Sequence, residues 1–363
     1  MNHSINTQRV AGFDIARAYA IFGMFIVNFN FCFGSFSYTS AFGKFLNLFV
    51  GNSTAIFIIL AGMGLSFMTR SKNKSHENRT DARKVILKRS WFLLILGLLL
   101  FLWWPGDILH FYGGYMHIAA FILFVPKRFY LFFAAIAIII FHLLLLIIPV
   151  ETGWDFVKFQ PVDFWTLSGF LRNTFYNGWN SIFPWIAYLL LGMWMGRLNW
   201  NDRKTIRNIF FVGLFFFVAF EILRAFARID VFNEGWTRYI MSEYFPPYLP
   251  FMILTASFAS LVICVSMVIG IRFSNTVLVK VLSATGRMTL THYIMHLTLG
   301  MVIMSSITGK EYTGNLQTTE PASAEFIFVF AFCFFVFSIC FSLLWSKHFK
   351  NGPVEMLMRK FSD

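Results

Sequence analysis

Asp107, His110 and His117 interrupt a stretch of chain that is otherwise apolar or aromatic, WWPGDILHFYGGYMH from Trp103 to His117. On a helix, Asp107 and His110 are one turn apart, and His117 follows on the same face. A carboxylate beside an imidazole orients the ring and raises its basicity, as in acid–base sites. Ionisable groups kept inside a membrane usually line a cavity or pathway. A cap at a helix start would explain Asp107 through the dipole and free N–H groups, but not the deeper His117. Gly113 and Gly114 would let another backbone or a substrate come close.

Two further polar sets break apolar runs. In FDIARAYAIFGMFIVNFNF, Asp14 and Arg17 are three apart and can pair, and Asn28 lies eleven residues beyond Arg17 on nearly the same face. They read either as an interfacial charge pair with a helix-bridging Asn or as a polar stripe leading inward. In GRMTLTHYIMH, His292 and His296 are one turn apart near Arg287. An i, i+4 histidine pair binds metal only with further ligands, and no HExxH pattern is present, so no metal is expected. A polar lining or anion binding beside Arg287 is the reading preferred for them. Glu221 and Arg224 read as a compensated pair, and His142, alone in an apolar run, as a bond to a neighbouring helix.

The elements that hold these residues must be membrane spans. Of 363 residues, 58% are hydrophobic and 13% charged, with mean hydropathy +0.66. A soluble domain carries about 25% charged residues. So much apolar surface needs lipid, where a spanning helix takes about 20 residues. The fold class expected is all-α, a polytopic transmembrane helical bundle forming one domain over residues 1–363. About ten spans are expected, near 13–35, 47–69, 88–104, 108–126, 129–149, 183–198, 209–227, 249–271, 288–307 and 324–345. The third and fourth, split by Pro105 and Gly106, could instead be one broken helix. The first span, with Asp14, Arg17 and Asn28 inside it and no cleavage site after it, reads as permanent.

The net charge of +13 is distributed as a topology signal and not as a nucleic-acid surface. The segment 70–90 is the most basic, and Lys127–Arg128, Arg197 to Arg207, Arg272 to Arg287 and the tail after Lys347 fall on its side. The opposite loops contain Glu151, Asp155, Asp163, Glu234, Glu243, Glu311 and Glu320. Both termini are therefore expected in the cytoplasm, and Asp107 near the outer face. Residues 150–182, rich in Trp and Phe, read as interfacial, with a lid or a sugar-stacking surface as the alternative. Cys32, Cys264, Cys333 and Cys340 lie in apolar runs without zinc-ligand spacing and read as packing residues.

Five ordered segments carry a resemblance: RVAGFDIARAYAIFGMFIVN, RSWFLLILGLLLFLWWPGDILHFY, FPWIAYLLLGMWMGR, GRMTLTHYIMH and NGPVEMLMRK. Together they resemble the YeiB family of bacterial membrane proteins, a branch of the transmembrane acyltransferases that includes the lysosomal heparan-glucosaminide acetyltransferases. The resemblance implies a helical bundle in the bacterial cytoplasmic membrane. It would take an acyl group, in the simplest case acetyl, from cytoplasmic acyl-CoA and pass it to a hydroxyl or amine acceptor, such as a glycan or envelope metabolite, on the far side. Asp14, Arg17 and Asn28 match the opening motif, Arg89 and Asp107 the second, and Arg287 the fourth.

Departures from the family pattern are Ala18 where Gly is usual and His292 where Asn is usual. The acetyltransferase branch has a catalytic histidine in the outer loop after the first span, and Phe29 to Thr54 contains none. The expectation is that His117, with Asp107 and His110 nearby, serves as base and Asn28 donates to the oxyanion. Arg17, Arg89 and Arg287, with Asp14, His292 and His296, are expected to hold the CoA head group. Membrane lipids, acyl-CoA and the acceptor are the expected partners; a homodimer stays open. The rival readings are a transporter or flippase of an anionic lipid or small solute, and a non-catalytic assembly subunit.

Overall fold

The computed structural model describes residues 11–35, 39–70, 75–310 and 321–362. Arg9 of the opening motif, residues 71–74 of the basic segment, Glu311 and Glu320 lie outside the described residues. In chain order the helices are α1 (Ala11–Phe33), α2 (Ala41–Asn47), α3 (Asn52–Arg70), α4 (His76–Phe101), α5 (Leu109–Ile122), α6 (Arg128–Ile147), α7 (Leu167–Arg172) and α8 (Ile182–Met195). They continue as α9 (Arg203–Arg228), α10 (Glu234–Ile240), α11 (Leu249–Arg272), α12 (Val277–Gly286), α13 (Thr289–Met295), α14 (Met301–Thr308), α15 (Ala324–Trp345) and α16 (Pro353–Ser362). One π-turn, His296–Gly300, joins α13 to α14, and another, Asn173–Asn177, precedes α8. The strands described are two residues each, β1 (Trp154–Asp155) paired antiparallel with β2 (Gln160–Pro161).

Helix is the expected answer in lipid, because it satisfies every backbone polar group within one segment. Where the helices start in water, side chains cap them. Ser75 Oγ accepts from Asn78 N at 3.2 Å, and Asp202 Oδ1 from Lys204 N at 2.9 Å. Among the described residues seven helical stretches are long and apolar enough to cross a membrane. The expected spans at 88–104, 108–126 and 183–198 correspond to the apolar half of α4, to α5 and to α8. α5 and α8 have 14 residues each, a rise of about 21 Å, so their flanking turns must complete any crossing.

Pro105 and Gly106 form a turn and not a kink. α4 and α5 lie antiparallel: Ser90 Oγ donates to Gly113 O at 2.8 Å, and the Gly97 position faces His110. α1 is the axis of the bundle, packed against α3, α11, α12, α13 and α15. α3 and α8 cross through glycines. A Cβ on Gly62 would stand 2.0 Å from Leu189 O, and one on Gly192 2.0 Å from Ile59 O. Small residues at such crossings let transmembrane backbones touch. α9 presents Phe211, Phe215 and Phe226 outward and is almost unburied, as a lipid-facing helix should be.

The basic helix ends gather at one side. Arg197 Nη2 donates to Thr69 Oγ1 at 3.3 Å and Leu123 O at 2.6 Å, joining the ends of α3, α5 and α8. α16 packs beneath α4, and its Glu355 carboxylate accepts from Leu290 N at 2.7 Å and Thr291 N at 3.2 Å at the start of α13. At the opposite side, residues 150–182 fold into an ordered cap. Arg172 pairs with Asp163 at 2.5 Å, Trp154 Nε1 donates to Asn177 O at 2.8 Å, and Trp179 packs on Phe31 of α1 at 5.5 Å.

Candidate functional site

A cavity of about 330 Å³ runs between the two sides of the bundle. Arg17, Arg89 and Met358 line its basic mouth; Val27, Phe57, Leu60, Leu93 and Met116 its apolar middle; Asn28, Thr54, Asn180, Tyr244 and Tyr293 its far end. The lining comes from α1, α3, α4, α5, α13 and α16 together with the loops before α5, α8 and α11.

At the mouth, Arg17 Nη1 donates to Asp14 Oδ1 at 2.6 Å, the i, i+3 pair that the spacing forecast. Arg89 donates to Ser362 Oγ at 3.1 Å. Arg287 follows Gly286, whose position lies against Asp14 O, so it stands at the same end without lining the cavity.

At the far end the Asn28 amide meets His296 Nε2 at 2.8 Å. Nδ2 donates here, because among the described residues His296 Nδ1 faces a carbonyl, that of His292 at 3.3 Å, to which it must donate. Asn28 thus keeps a second N–H for the cavity. Beside it, the Tyr293 hydroxyl donates to Asp107 Oδ1 at 2.8 Å and accepts from Ile108 N at 3.2 Å. Asp107 Oδ2 accepts from His110 N and from His110 Nδ1, each at 3.1 Å. Phe101, Phe111 and Phe164 enclose the His110 ring, and its Nε2 is buried without a partner among the described residues. The order from the cavity inward is phenol, carboxylate, imidazole.

The expected residues therefore separate. Arg17, Asn28 and Arg89 line the cavity; Asp107, His110 and His296 stand behind its wall. His117 shares a face with His110, as the spacing required, but that face looks at α4. Its Nδ1 meets Ser90 Oγ at 3.3 Å, and its ring packs on Trp91 and Phe121. His292 donates from Nε2 to Ser342 Oγ on α15 at 2.8 Å, and the Ser342 proton goes to Ser338 O at 2.8 Å. The two histidines of THYIMH therefore serve different helices. Among the described residues no three His, Cys, Asp or Glu side chains gather as a metal site. Outside the cavity, Glu221 lies 3.7 Å from Arg224, as their spacing implied, and His142 meets the Tyr239 hydroxyl of α10 at 3.0 Å, the expected bond to a neighbouring helix.

Sequence reading missed Tyr293, Tyr244, Asn180 and Thr54. Tyr293 was visible inside GRMTLTHYIMH, three residues before His296. The other three sit in segments with no motif, and only the packing of α8, α11 and α3 brings them together.

A helical bundle crossed by a cavity with arginines at one end and a Tyr–Asp–His chain at the other defines a multi-pass membrane protein with an interior site. The model of the heparan-alpha-glucosaminide N-acetyltransferase catalytic domain matches residues 9–220, and that of a family of proteins of unknown function (DUF418) matches residues 193–363. The first covers more than half of the chain, which belongs to that acetyltransferase family; together the two matches bear out the YeiB-like resemblance. No curated protein and no solved structure matches it. Residues of both matched regions build the cavity, Asn28 and Arg89 from the first, Tyr244, Tyr293 and Met358 from the second.

Proposed function

We propose that this protein transfers an acyl group, acetyl in the simplest case, from acyl-CoA at the basic side to a hydroxyl or amine acceptor at the far side. The observation that carries this reading is the single cavity joining Arg17 and Arg89 to Asn28 and Tyr293. The setting we propose is the bacterial cytoplasmic membrane, basic side inward. Guanidinium forks suit the phosphates of CoA; Asp14 orients Arg17, and Arg287 adds positive charge at the same mouth. From Arg17 to Asn28 the α1 axis rises about 16 Å, a length the extended pantetheine arm can follow through the apolar middle.

At the far end the acceptor oxygen or nitrogen attacks the thioester carbonyl carbon. Its proton passes to Tyr293 Oη as the phenol proton moves to Asp107, whose His110 partner holds the carboxylate in place. The Asn28 amide, held by His296, donates its second N–H to the oxyanion. Collapse breaks the C–S bond, and the proton returns through Tyr293 to the leaving CoA thiolate. In this reading Asp107 acts as base through Tyr293, and the cavity gives His117 no part.

The test is incubation of the purified protein with radiolabelled acetyl-CoA and a pool of glycan and amine acceptors. Release of CoA thiol with label on an acceptor is expected. Absence of binding, hydrolysis and transfer together would overturn the reading.

A further inference from the structure

The far end of the cavity also has the chemistry of a recognition site. Asn180 Nδ2 and Oδ1 lie 2.7 and 3.0 Å from the Tyr244 hydroxyl, and Thr54 Oγ1 lies 3.3 Å from it. The backbone carbonyl of Asn180 is held by the Tyr115 hydroxyl, which anchors the amide in the wall. Ser53 also lines the cavity, but its Oγ is buried against the Gly23 position of α1. Tyr112 adds a further hydroxyl to the lining. The hydroxyls of Thr54, Tyr112 and Tyr244 and the Asn180 amide stand in an otherwise apolar wall, where a ligand's own hydroxyls can pair with them.

Charge narrows the ligand. Among the described residues no Lys or Arg lines this half of the cavity, Arg17 and Arg89 standing at the other mouth. No Asp or Glu is among the described lining residues, and Asp107, behind the wall, is covered by the Tyr293 hydroxyl. Among these lining residues a sulfate or phosphate finds no cation, and a fixed cation no carboxylate.

We infer that Thr54, Asn180 and Tyr244 form a binding subsite for an uncharged, hydroxyl-bearing acceptor, such as a neutral sugar ring or the polyol head of a lipid, and not for a sulfated or phosphorylated glycan. The word acceptor rests on the acyl-transfer reading; binding at the subsite does not. Polar side chains in a low-dielectric wall discriminate by hydrogen-bond pairing, and an anion without a counter-charge is rejected there.

The experiment uses the whole protein in nanodiscs without acyl-CoA. The probes are methyl β-D-glucopyranoside, its 6-sulfate and a glucosyl diacylglycerol in the disc. Tryptophan fluorescence reports binding, since the Trp185 and Trp179 rings lie 4.8 and 6.3 Å from Tyr244. Saturable binding of the glucoside or the glycolipid is expected, and which of them binds identifies the source of the head group. Tyr244→Phe and the nearly isosteric Thr54→Val should each weaken it about tenfold, the effect of one lost hydrogen bond. Thr54→Val alone decides the matter if Tyr244→Phe fails to fold. Sulfate-ester binding as tight as that of the neutral sugar would overturn the inference. So would absence of binding by both neutral probes, or full binding by the folded variants. Binding without any acyl transfer would sink the enzymatic reading and leave the subsite standing; transfer to an anionic acceptor would do the reverse.

Discussion

The Tyr293 hydroxyl donates to Asp107 Oδ1 at 2.8 Å, linking α13 to the turn before α5 across 186 positions of chain. Asp107 is fully buried, and its carboxylate also receives two bonds from His110. A buried carboxylate is tolerable only when its oxygens are bonded. The contact thus answers why an acid survives at this depth and connects it to the cavity through a phenol.

Tyr293→Phe removes that connection and keeps the ring. It is expected to lower kcat for acyl transfer by about 100-fold or more, the usual range for a lost acid–base group, with little change in the KM for acyl-CoA. His117→Ala is expected to stay within about threefold in steady-state kinetics, because its ring faces α4. The opposite order would return the base to His117.

Arg17→Ala and Arg89→Ala should act on the donor. Each is expected to raise the acyl-CoA KM by about tenfold or more, the loss of a charge-assisted hydrogen bond. Lys at either position should restore only part of it, since an ammonium lacks the planar fork. A fall in kcat at constant KM would place the arginines in the chemistry.

Much of this arrangement was legible in the sequence. Run length and apolarity gave an all-helical membrane bundle, and i, i+3 spacing gave the Asp14–Arg17 and Asp107–His110 pairs. Those are local facts, carried by one helix. Which way a helix face points is a tertiary fact, and there the reading ran out. His110 and His117 share a face, yet only packing shows that it meets α4. His292 and His296 share one too, yet one bonds α15 and the other α1. Tyr244 and Asn180, separated by 64 positions, become neighbours through folding alone.

The α3–α8 crossing offers a stability test. Gly62→Ala would drive a Cβ into Leu189 O, whereas the Gly64 position has nothing within 4 Å. Gly62→Ala is expected to destabilise by about 1–3 kcal/mol, seen as a lower Tm in detergent. Gly64→Ala should be neutral or slightly stabilising. Equal Tm values for the two variants would contradict the close crossing.

Glu355 on α16 gives a pH dependence. Burial raises its pKa above the ordinary 4.5, against the opposing hydrogen bonds from Thr291 and Leu290. When the folded pKa is the higher one, the docked helix binds more protons than the released one. Stability then falls as pH rises from the unfolded pKa toward the folded one. Hydrogen exchange over residues 353–362 should therefore quicken as pH rises through that window, after correction for intrinsic exchange, and Glu355→Gln should flatten the trend. Faster corrected exchange at the acid end would reverse the sign and reject this account of α16.

The central claim is that donor and acceptor meet inside one cavity from opposite sides of the membrane. The direct measurement uses proteoliposomes of uniform orientation, with radiolabelled acetyl-CoA added at the basic side and the acceptor enclosed at the other. Label is expected on the enclosed acceptor, with CoA retained at the basic side, and Tyr293→Phe should abolish the signal. Acylation only of acceptor supplied on the same side as acetyl-CoA would contradict it.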